Sequence, residues 1–544
     1  MNSDRNETYK ERKGGGVWGN MLKSMIPLCS GKLEHRSRLP CSSIYPTAPV
    51  LEVFSPLLQG LFFTMHSASI IGNKHREPIQ SLSELLDIRC GPSGNIRPIC
   101  QLLTHQVQFL PDTVTLAVGR ELARTSFLGP FLSVSVFAED EPKVAEKFFS
   151  GNTASDKSLN QTLRQELENT RVMFHDILVN GSSREATLSY LAMLLRNNEK
   201  RAQIHIDERS VAGDGFMLNL LSVMQMLAIK VKLDKVDMFY PFHPSSTIDI
   251  KNETRLKFTS QEVATWVDEL SRSKTHKWRE PKFPTQCWFL TLHLHHTSLL
   301  PACQKYQRRL RALRDLQKLV RAPFFYTMVD EMQATEAQWK EMHFAARNKE
   351  LIKHWKQQIK KLTRSKACAD AGLLDENLLR RSLQFYTSVA EFLLAALAIP
   401  GAGSPSSLPL PGEGPPIFSA LPEWYVEDIA EFLLFALHIS KCVLILVHRF
   451  CPSVVADSVE DSLVTWLLVG VCSPHYFRNP YLIAKIIEVL FVVNPGIQPR
   501  TEQLHARIMA HPISETQLPS CLMKFYTGEE EGDQFPSILM KIEF

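Results

Sequence analysis

The chain has 544 residues, of which 44% are hydrophobic and 22% are charged, and its formal net charge is +4. This length suits several compact domains or one continuous helical array, and the hydrophobic content excludes a mainly disordered protein. The charge is too small for the length to indicate a nucleic-acid or membrane partner, so neither is expected. Eleven cysteines are scattered without a close pair, which predicts free thiols in a reducing compartment and excludes a disulfide framework.

The N-terminal stretch 1–48 is basic, polar and aperiodic, and we expect a disordered arm there. It lacks the apolar centre of a secretory signal, which indicates a cytoplasmic or nuclear protein. Two later hydrophobic stretches, EFLLFALHISKCVLILVHRF and SLVTWLLVGVC, are interrupted by charge or are too short to cross a bilayer, which needs about 20 apolar residues. They are predicted to be buried helices, and no membrane insertion is expected.

From Val50 onward the apolar residues recur at helical spacing. The stretch LNQTLRQELENTRVMFHDILVN and the stretch after it predict a helical hairpin, whose first helix ends at Asn180-Gly181 because both residues tolerate a left-handed backbone. The next stretch, GFMLNLLSVMQMLAIKVKL, is apolar nearly all round and should be buried on several sides. Thr259 or Ser260, followed by Glu262, should cap the helix after that.

Two basic amphipathic helices are predicted further along the chain. The first starts at Pro301, and ELIKHWKQQIKKLTRSK repeats its design. The cations opposite the apolar side of the first helix are Arg308, Arg309, Arg311, Arg314 and Lys318. Such faces are typical of solvated surfaces. A surface for phosphate or an acidic partner is the alternative, although the interleaved aromatic residues of single-strand binders are missing. Gly372 should end the second basic helix, and Asp375 should cap the next one.

Residues 400–416, PGAGSPSSLPLPGEGPP, are rich in proline, glycine and serine, and we expect a flexible loop there. Three further helical stretches follow, each short enough to be one rung of an array. Paired helices with short turns, without hairpin-strand signals or a strict sequence period, predict an all-α fold. The expected architecture is an irregular armadillo- or HEAT-like helical solenoid.

The stretch WFLTLHLHHTSLLPAC is rich in potential zinc ligands. It holds His293, His295 and His296 between Cys287 and Cys303. A metal site, or a zinc-dependent enzyme using His293, His296 and Cys303, is therefore one hypothesis. On a helix capped by Thr285, however, His293 and His296 share a face while His295 points elsewhere, and the cysteines form no C-x-x-C half-site. Histidines that pack between helices are the favoured interpretation, with no metal or other cofactor expected.

Other signatures of chemistry are weak. The sequence has no G-x-x-x-x-G-K-[ST], G-x-G-x-x-G, H-E-x-x-H or G-x-S-x-G motif. Cys368 has no partner histidine in sequence and is expected to be a core residue and not a nucleophile. Four carboxylates should occupy the first turns of a helix, where they complement its dipole: Glu423, Glu427, Asp428 and Glu431. We therefore assign no catalytic, cofactor-binding or metal residue, and the residues alone predict a helical scaffold for protein binding.

Six long stretches carry a family resemblance. They are SFLGPFLSVSVFAEDEPKVAEKFFSG, FPTQCWFLTLHLHHTSLLPAC, KKLTRSKACADAGLLDENLLRRSLQFY, LPEWYVEDIAEFLLF, RNPYLIAKIIEVLFVVNPGIQPRT and LPSCLMKFYTG. In this order they resemble blocks of the core of the "E-four" ubiquitin conjugation factors, the chain-elongating ubiquitin ligases, and their wording is closer to the B form than to the A form. The resemblance implies that 49–527 is one core, a helical solenoid without a catalytic metal.

The resemblance also implies a function. Members of that family extend ubiquitin chains on modified substrates with a ubiquitin-conjugating enzyme and the valosin-containing AAA ATPase, in protein quality control and in degradation of endoplasmic-reticulum proteins. Transfer in the family depends on a U-box, a zinc-free RING-like fold. No stretch of this sequence resembles a U-box, and 528–544 does not resemble a continuing core. We therefore expect a truncated or alternatively ended factor that is inactive alone, with a poorly ordered last segment.

The expected role is that of a scaffold for ubiquitin or polyubiquitinated substrates and for the AAA ATPase. A ubiquitin-conjugating enzyme is expected as a partner only if a U-box is supplied. The sequence leaves three alternatives for the chain itself: partial function, inhibition of a full-length factor by competition, and a non-functional fragment. The alternative is a helical adaptor unrelated to ubiquitin, with the basic helices as a surface for an acidic partner. Whole sequence segments such as KACADAGLLDE argue against it, because unrelated solenoids share the spacing of apolar residues and not the amino-acid sequence itself.

Overall fold

The structure is a computed structural model, and it describes residues 48–90, 96–112, 115–147, 168–203, 205–273, 276–321, 343–397, 412–443 and 458–527. Helices dominate these ranges. The first half contains α1 (Ala48–His66), α2 (Arg76–Leu86), α3 (Pro98–Thr104), α4 (Val118–Thr125), α5 (Gly129–Leu132), α6 (Pro142–Lys147), α7 (168–179), α8 (Gly181–Arg196), α9 (Asp214–Ala228) and α10 (Ser260–Arg272).

The second half continues in the same way. It contains α11 (Phe283–Leu294), α12 (Leu300–Arg321), α13 (His343–Leu373), α14 (Glu376–Ala396), α15 (Pro416–Ser419), α16 (Trp424–Val443), α17 (Asp461–Cys472), α18 (Pro480–Val492), α19 (Glu502–Met509), α20 (Pro512–Thr516) and α21 (Leu518–Thr527). Short 3-10 turns lie between several of these helices.

The described residues contain no β-strand, and only two isolated bridges join Cys90 to Ile96 and Arg255 to Pro422. The helices pack in pairs: α12 on α13, α9 on α11, α16 on α18 and α14 on α17. Packing of helix pairs along one continuous core is how α-solenoids are built. The predicted all-α, solenoid-like fold is confirmed.

Aromatic side chains join successive helices of the core. Trp288 of α11 packs against Phe392 and Phe385 of α14, with ring centroids 4.9 Å and 5.6 Å away. Its indole Nε1–H donates to Ser388 Oγ at 3.1 Å, so the one polar atom of the ring is satisfied. Burying a side chain of this size contributes about 3 kcal/mol, and α11 is thereby fixed against α14.

Several local predictions are confirmed. Thr259 caps α10 in a full capping box with Glu262, and the Asp375 side chain accepts from the Leu378 N–H at the start of α14. Almost every side chain of α9 is buried, as its all-round apolar pattern predicts. These features depend on residues close together in sequence, so the sequence specifies them directly.

Two other local predictions are wrong. Thr285 lies inside α11, which begins at Phe283, and its hydroxyl accepts from the Asp237 N–H at 3.0 Å instead of capping the helix. Asn180 has φ −71° and ψ 120°, and Gly181 is the first residue of α8, so the hairpin turns through an extended residue and not a left-handed one.

Gly372 also has a different role from the predicted helix stop. It lies within α13, which ends at Leu373. A Cβ at this position would lie 2.5 Å from Phe137 Cε2 and 3.0 Å from Val136 Cγ2. The glycine therefore permits close approach of α13 to the segment before α6.

Among the described residues, no single helix is both long and apolar enough to cross a membrane, although the bent pair Asp214–Ala228 and Leu233–Phe242 meets the length and composition criteria together. The hydrophobic stretch at α17 is a buried helix, as predicted. The predicted arm 1–48 lies outside the described residues except for Ala48, and the end segment 528–544 lies wholly outside them. Of the predicted loop 400–416, only 412–416 are described, and Pro416 is the first residue of α15.

Candidate functional site: the histidine segment and the polar cavity

A single π-helical turn, His295–Leu299, joins α11 to α12 without interruption. Pro301 is the second residue of α12 and has no N–H to donate, and a wider turn lets the helix pass its ring. Pro301 lies in the first turn of α12, as predicted, but the prediction that a separate helix starts there is wrong, because α12 continues α11 through the π turn. The histidines and Cys303 lie on one continuous helical rod.

His295 is fully buried and packs toward α14. Its ring lies parallel to Phe385 at a centroid distance of 4.6 Å. Nδ1 is 2.8 Å from the Thr291 carbonyl oxygen, and Gln225 Nε2 lies 2.9 Å from Nε2. Nδ1–H therefore donates, Nε2 accepts from the amide, and burial lowers the pKa of His295 to about 4. His295 is a neutral core residue with both nitrogens occupied.

His293 and His296 face the opposite direction, toward Trp424 of α16. The His293 ring meets the indole edge-on at 4.9 Å, and the His296 ring stacks on it at 4.1 Å. His296 Nδ1 also lies 3.0 Å from both carboxylate oxygens of Asp428. The predicted division, with His293 and His296 on one face and His295 elsewhere, is confirmed.

The nearby thiols do not complete a zinc site. Cys287 and Cys303 are buried, and burial raises the pKa of Cys287 to about 12 and that of Cys303 well above its ordinary value. Such thiols are protonated in the absence of a metal ion. In the part of the chain that the structure describes, no three His, Cys, Asp or Glu side chains are grouped to hold a metal ion. Cys368 is likewise fully buried.

The four carboxylates of the α16 region pair with neighbouring helices. Lys485 of α18 is buried and contacts both Glu427, at 3.3 Å, and Glu431. Asp428 pairs with His296, and Glu423 accepts from the Asn479 amide at 3.2 Å. These carboxylates therefore have a structural role, as predicted from the helix dipole, and each also has a specific partner on a neighbouring segment.

A second polar feature is a cavity of about 540 Å³ bordered by α4, the 206–216 segment and α12. Its floor is a buried ion network centred on Asp214. Arg201 donates to Asp214 and, through Nε at 2.9 Å, to the Thr297 carbonyl of the π turn. Lys305 lies 3.2 Å from Asp214 and 3.0 Å from Glu208. Burial raises the pKa of Asp214, but Arg201 and Lys305 outweigh it, so the net shift is downward.

One side of the cavity is a tight turn at the end of the SVSVFAED stretch. Ser135 Oγ donates to Asp140 at 2.8 Å, and the Gly215 N–H donates to the same carboxylate at 3.0 Å. A Cβ on Gly215 would lie 1.9 Å from Ser135 Oγ, and one on Gly213 would lie 1.9 Å from Asp140 Oδ1, so a side chain at either position would displace Ser135 or Asp140. Desolvation of the carboxylate by the surrounding protein raises the pKa of Asp140 to about 6.

Four arginines line the cavity: Arg120, Arg124, Arg209 and Arg308. No side chain in the described ranges forms an ion pair or hydrogen bond with these guanidinium groups, whereas each carboxylate of the cavity has a partner. Sequence reasoning placed Arg308 on a basic helix face but missed the cavity. The available signal was the four-residue spacing of Arg120 and Arg124, which puts both on one face of α4.

Comparison with known proteins gives a consistent result. A family description, ubiquitin elongating factor core, matches residues 128–536. The Caenorhabditis elegans ubiquitin conjugation factor E4 ufd-2 is 27% identical over 506 residues, which are 89% of this chain and 47% of that protein. The Arabidopsis thaliana probable ubiquitin conjugation factor E4 is 25% identical, over 88% of this chain and 47% of that protein.

A third relative is the Saccharomyces cerevisiae E4 ubiquitin-protein ligase UFD2, 30% identical over 216 residues, or 37% of this chain and 22% of that protein. The chain thus spans about half the length of the first relatives and the family match covers most of its helices. These matches do not favour an adaptor unrelated to ubiquitin. The chain belongs to the ubiquitin elongating factor core family.

Proposed function

We propose that this chain is a scaffold in ubiquitin chain assembly, which binds ubiquitin or ubiquitinated substrates and holds them for elongation. The observation that carries the proposal is the match of residues 128–536 to the elongating factor core, over the residues that build the helical array. The curated relatives are named as ubiquitin conjugation factors and as a ubiquitin-protein ligase, which supports the same process.

The chemistry of three buried cysteines favours holding over transfer. A thioester intermediate needs an accessible cysteine with a thiolate, and burial raises the pKa values of Cys100, Cys287 and Cys303 instead. No stretch of the sequence resembles a U-box. The proposal therefore assigns activation of the conjugating enzyme to a U-box outside these 544 residues, and binding to the helical array.

The finer parts of the proposal follow from the resemblance. The valosin-containing AAA ATPase is the proposed partner, and degradation of endoplasmic-reticulum proteins from the cytoplasm or nucleus is the proposed setting. The proposed organisation is a basic arm at 1–48, one core at 49–527 with a flexible loop at 400–416, and an atypical segment at 528–544. In the presence of a full-length factor, the chain competes for substrate and inhibits elongation.

The test is a reconstituted reaction with ubiquitin, activating enzyme, a conjugating enzyme and a ubiquitin-bearing substrate. One arm adds this chain alone, and a second adds it to a full-length elongating factor. Binding is measured separately, by pull-down of the polyubiquitinated substrate and of the AAA ATPase, with the unmodified substrate as the matched control.

The expected result is retention of the polyubiquitinated substrate, no elongation by the chain alone, and inhibition of the full-length factor. Elongation by the chain alone would contradict the assignment of transfer to a separate U-box. If the chain retained neither the ubiquitinated substrate nor the ATPase, the scaffold role would be overturned.

A further inference from the structure

The polar cavity is lined by more cationic side chains than carboxylates. Among the charged side chains that line it, six are cationic and four are carboxylates, a formal surplus of two positive charges. The carboxylates are engaged: Asp214 by Arg201 and Lys305, Glu208 by Lys305, and Glu139 by Arg309. Asp140 accepts from Ser135 and from the Gly215 N–H.

The surplus is located in the four arginines Arg120, Arg124, Arg209 and Arg308. They come from α4, the 206–216 segment and α12, so three separate parts of the chain direct cations to one concave surface. Arg124, Arg209 and Arg308 are exposed and Arg120 is half-buried. A guanidinium group can bind a carboxylate in a bidentate, charge-assisted manner, and here the described residues supply none.

The floor beneath these arginines is rigid. Arg201 is held by Asp214, by the Thr297 carbonyl and by the Ala212 carbonyl, and Lys305 is held by two carboxylates. The buried network fixes the π turn, the 206–216 segment and α12 relative to one another. A ligand therefore meets a preformed floor, and the ordering of the four arginine side chains is the main reorganisation that binding requires.

We propose that this cavity binds an acidic polypeptide segment, whose clustered Asp and Glu side chains pair with Arg120, Arg124, Arg209 and Arg308. The site goes beyond the scaffold role, and its test does not involve ubiquitin. A polypeptide fits better than nucleic acid because no Trp, Tyr or exposed Phe lines the cavity to stack on bases.

The probe is a fluorescein-labelled oligoglutamate peptide, and its affinity for the full chain is measured by fluorescence anisotropy at low and at physiological ionic strength. Two cavity variants, Arg124→Gln/Arg308→Gln and Arg120→Gln/Arg209→Gln, remove two charges each. The matched control is Arg311→Gln/Arg314→Gln, which removes two charges from exposed positions of α12 outside the cavity. Thermal melting of each variant checks the fold.

We expect each cavity variant to weaken peptide binding by about tenfold or more, and the control by less than about threefold. Equal losses in the cavity and control variants would show general attraction to a basic surface and would overturn the proposal. So would a wild-type chain that does not bind the peptide. Tighter, cavity-dependent binding of an oligothymidylate of equal charge would assign the cavity to nucleic acid instead.

Discussion

His296 and Asp428 form a buried hydrogen-bonded pair that connects the π turn to α16, with Nδ1 3.0 Å from both carboxylate oxygens. Burial disfavours the charged imidazole, but Asp428, aided by Glu253 and Glu427, outweighs it and raises the pKa of His296. The indole of Trp424 covers the other side of the ring at 4.1 Å. The charged pair therefore contributes to stability in a manner that depends on pH.

Replacing His296 by glutamine should destabilise the fold most in mildly acidic solution. A group whose pKa is raised on folding stabilises the native state below its unfolded pKa of about 6.5, and this contribution disappears as pH rises through the folded pKa. We expect a loss of about 3 kcal/mol in unfolding free energy below that pH and a smaller loss above it, measured by urea unfolding across a pH series. His354→Gln, at an exposed position of α13, is the control. A loss independent of pH would contradict the pairing.

Arg201→Met should cost about 3 kcal/mol of unfolding free energy, because it leaves the buried Asp214 carboxylate with only Lys305 as a cationic partner. Arg201→Lys should recover little, since an ammonium group cannot also reach the carbonyls of Thr297 and Ala212. Equilibrium urea unfolding measures both. Arg279→Met, at an exposed position, should change stability by less than about 0.5 kcal/mol. Full rescue by lysine would show that charge alone matters.

Two glycine substitutions should change the free energy of unfolding in opposite directions. Gly215→Ala places a Cβ 1.9 Å from Ser135 Oγ and 2.4 Å from Asp140 Oδ2, and we expect a loss of about 3 kcal/mol. Gly60→Ala lies in α1 with no atom within 4 Å of the added Cβ, and it should gain about 0.5 to 1 kcal/mol from helix propensity. Both predictions are tested by comparing the melting temperature of each variant with that of the wild type. A neutral Gly215→Ala would mean that the turn rearranges.

Zinc should be absent in stoichiometric amount, and a chelator should leave the melting temperature unchanged. The physical reason is geometric, since His295 uses both nitrogens in hydrogen bonds and faces away from His293 and His296. Elemental analysis of the purified chain, followed by melting with and without chelator, makes the measurement. One bound zinc per chain whose removal lowers the melting temperature would overturn the packing interpretation.

Features set by neighbours in sequence could be predicted, and those set by distant partners could not. The Thr259–Glu262 capping box and the Asp375 cap depend on three-residue spacings, and helical periodicity alone places His293 and His296 on one face. Thr285 has a good capping side chain, but a tertiary hydrogen bond from the Asp237 N–H uses its hydroxyl instead.

The cavity shows the same limit. Arg120, Arg209 and Arg308 are far apart in sequence, and only the packing of their elements brings them to one surface. Gly372 resembles a helix stop in sequence, yet its actual constraint is the nearby ring of Phe137. Neither the grouping of the arginines nor the contact of Gly372 with Phe137 leaves a pattern in the neighbouring sequence, because each depends on which segment packs opposite.

The π turn at His295–Leu299 sets the rotational phase of α12 relative to α11. A π turn is equivalent to one additional residue in an α-helix, and one residue corresponds to a rotation of about 100°. If the same residues formed regular α-helix instead, the additional residue would rotate α12 by about this angle and turn Lys305 and Arg308 away from the cavity, whereas the wider turn absorbs it. The π geometry of this short segment therefore determines which charges reach the cavity.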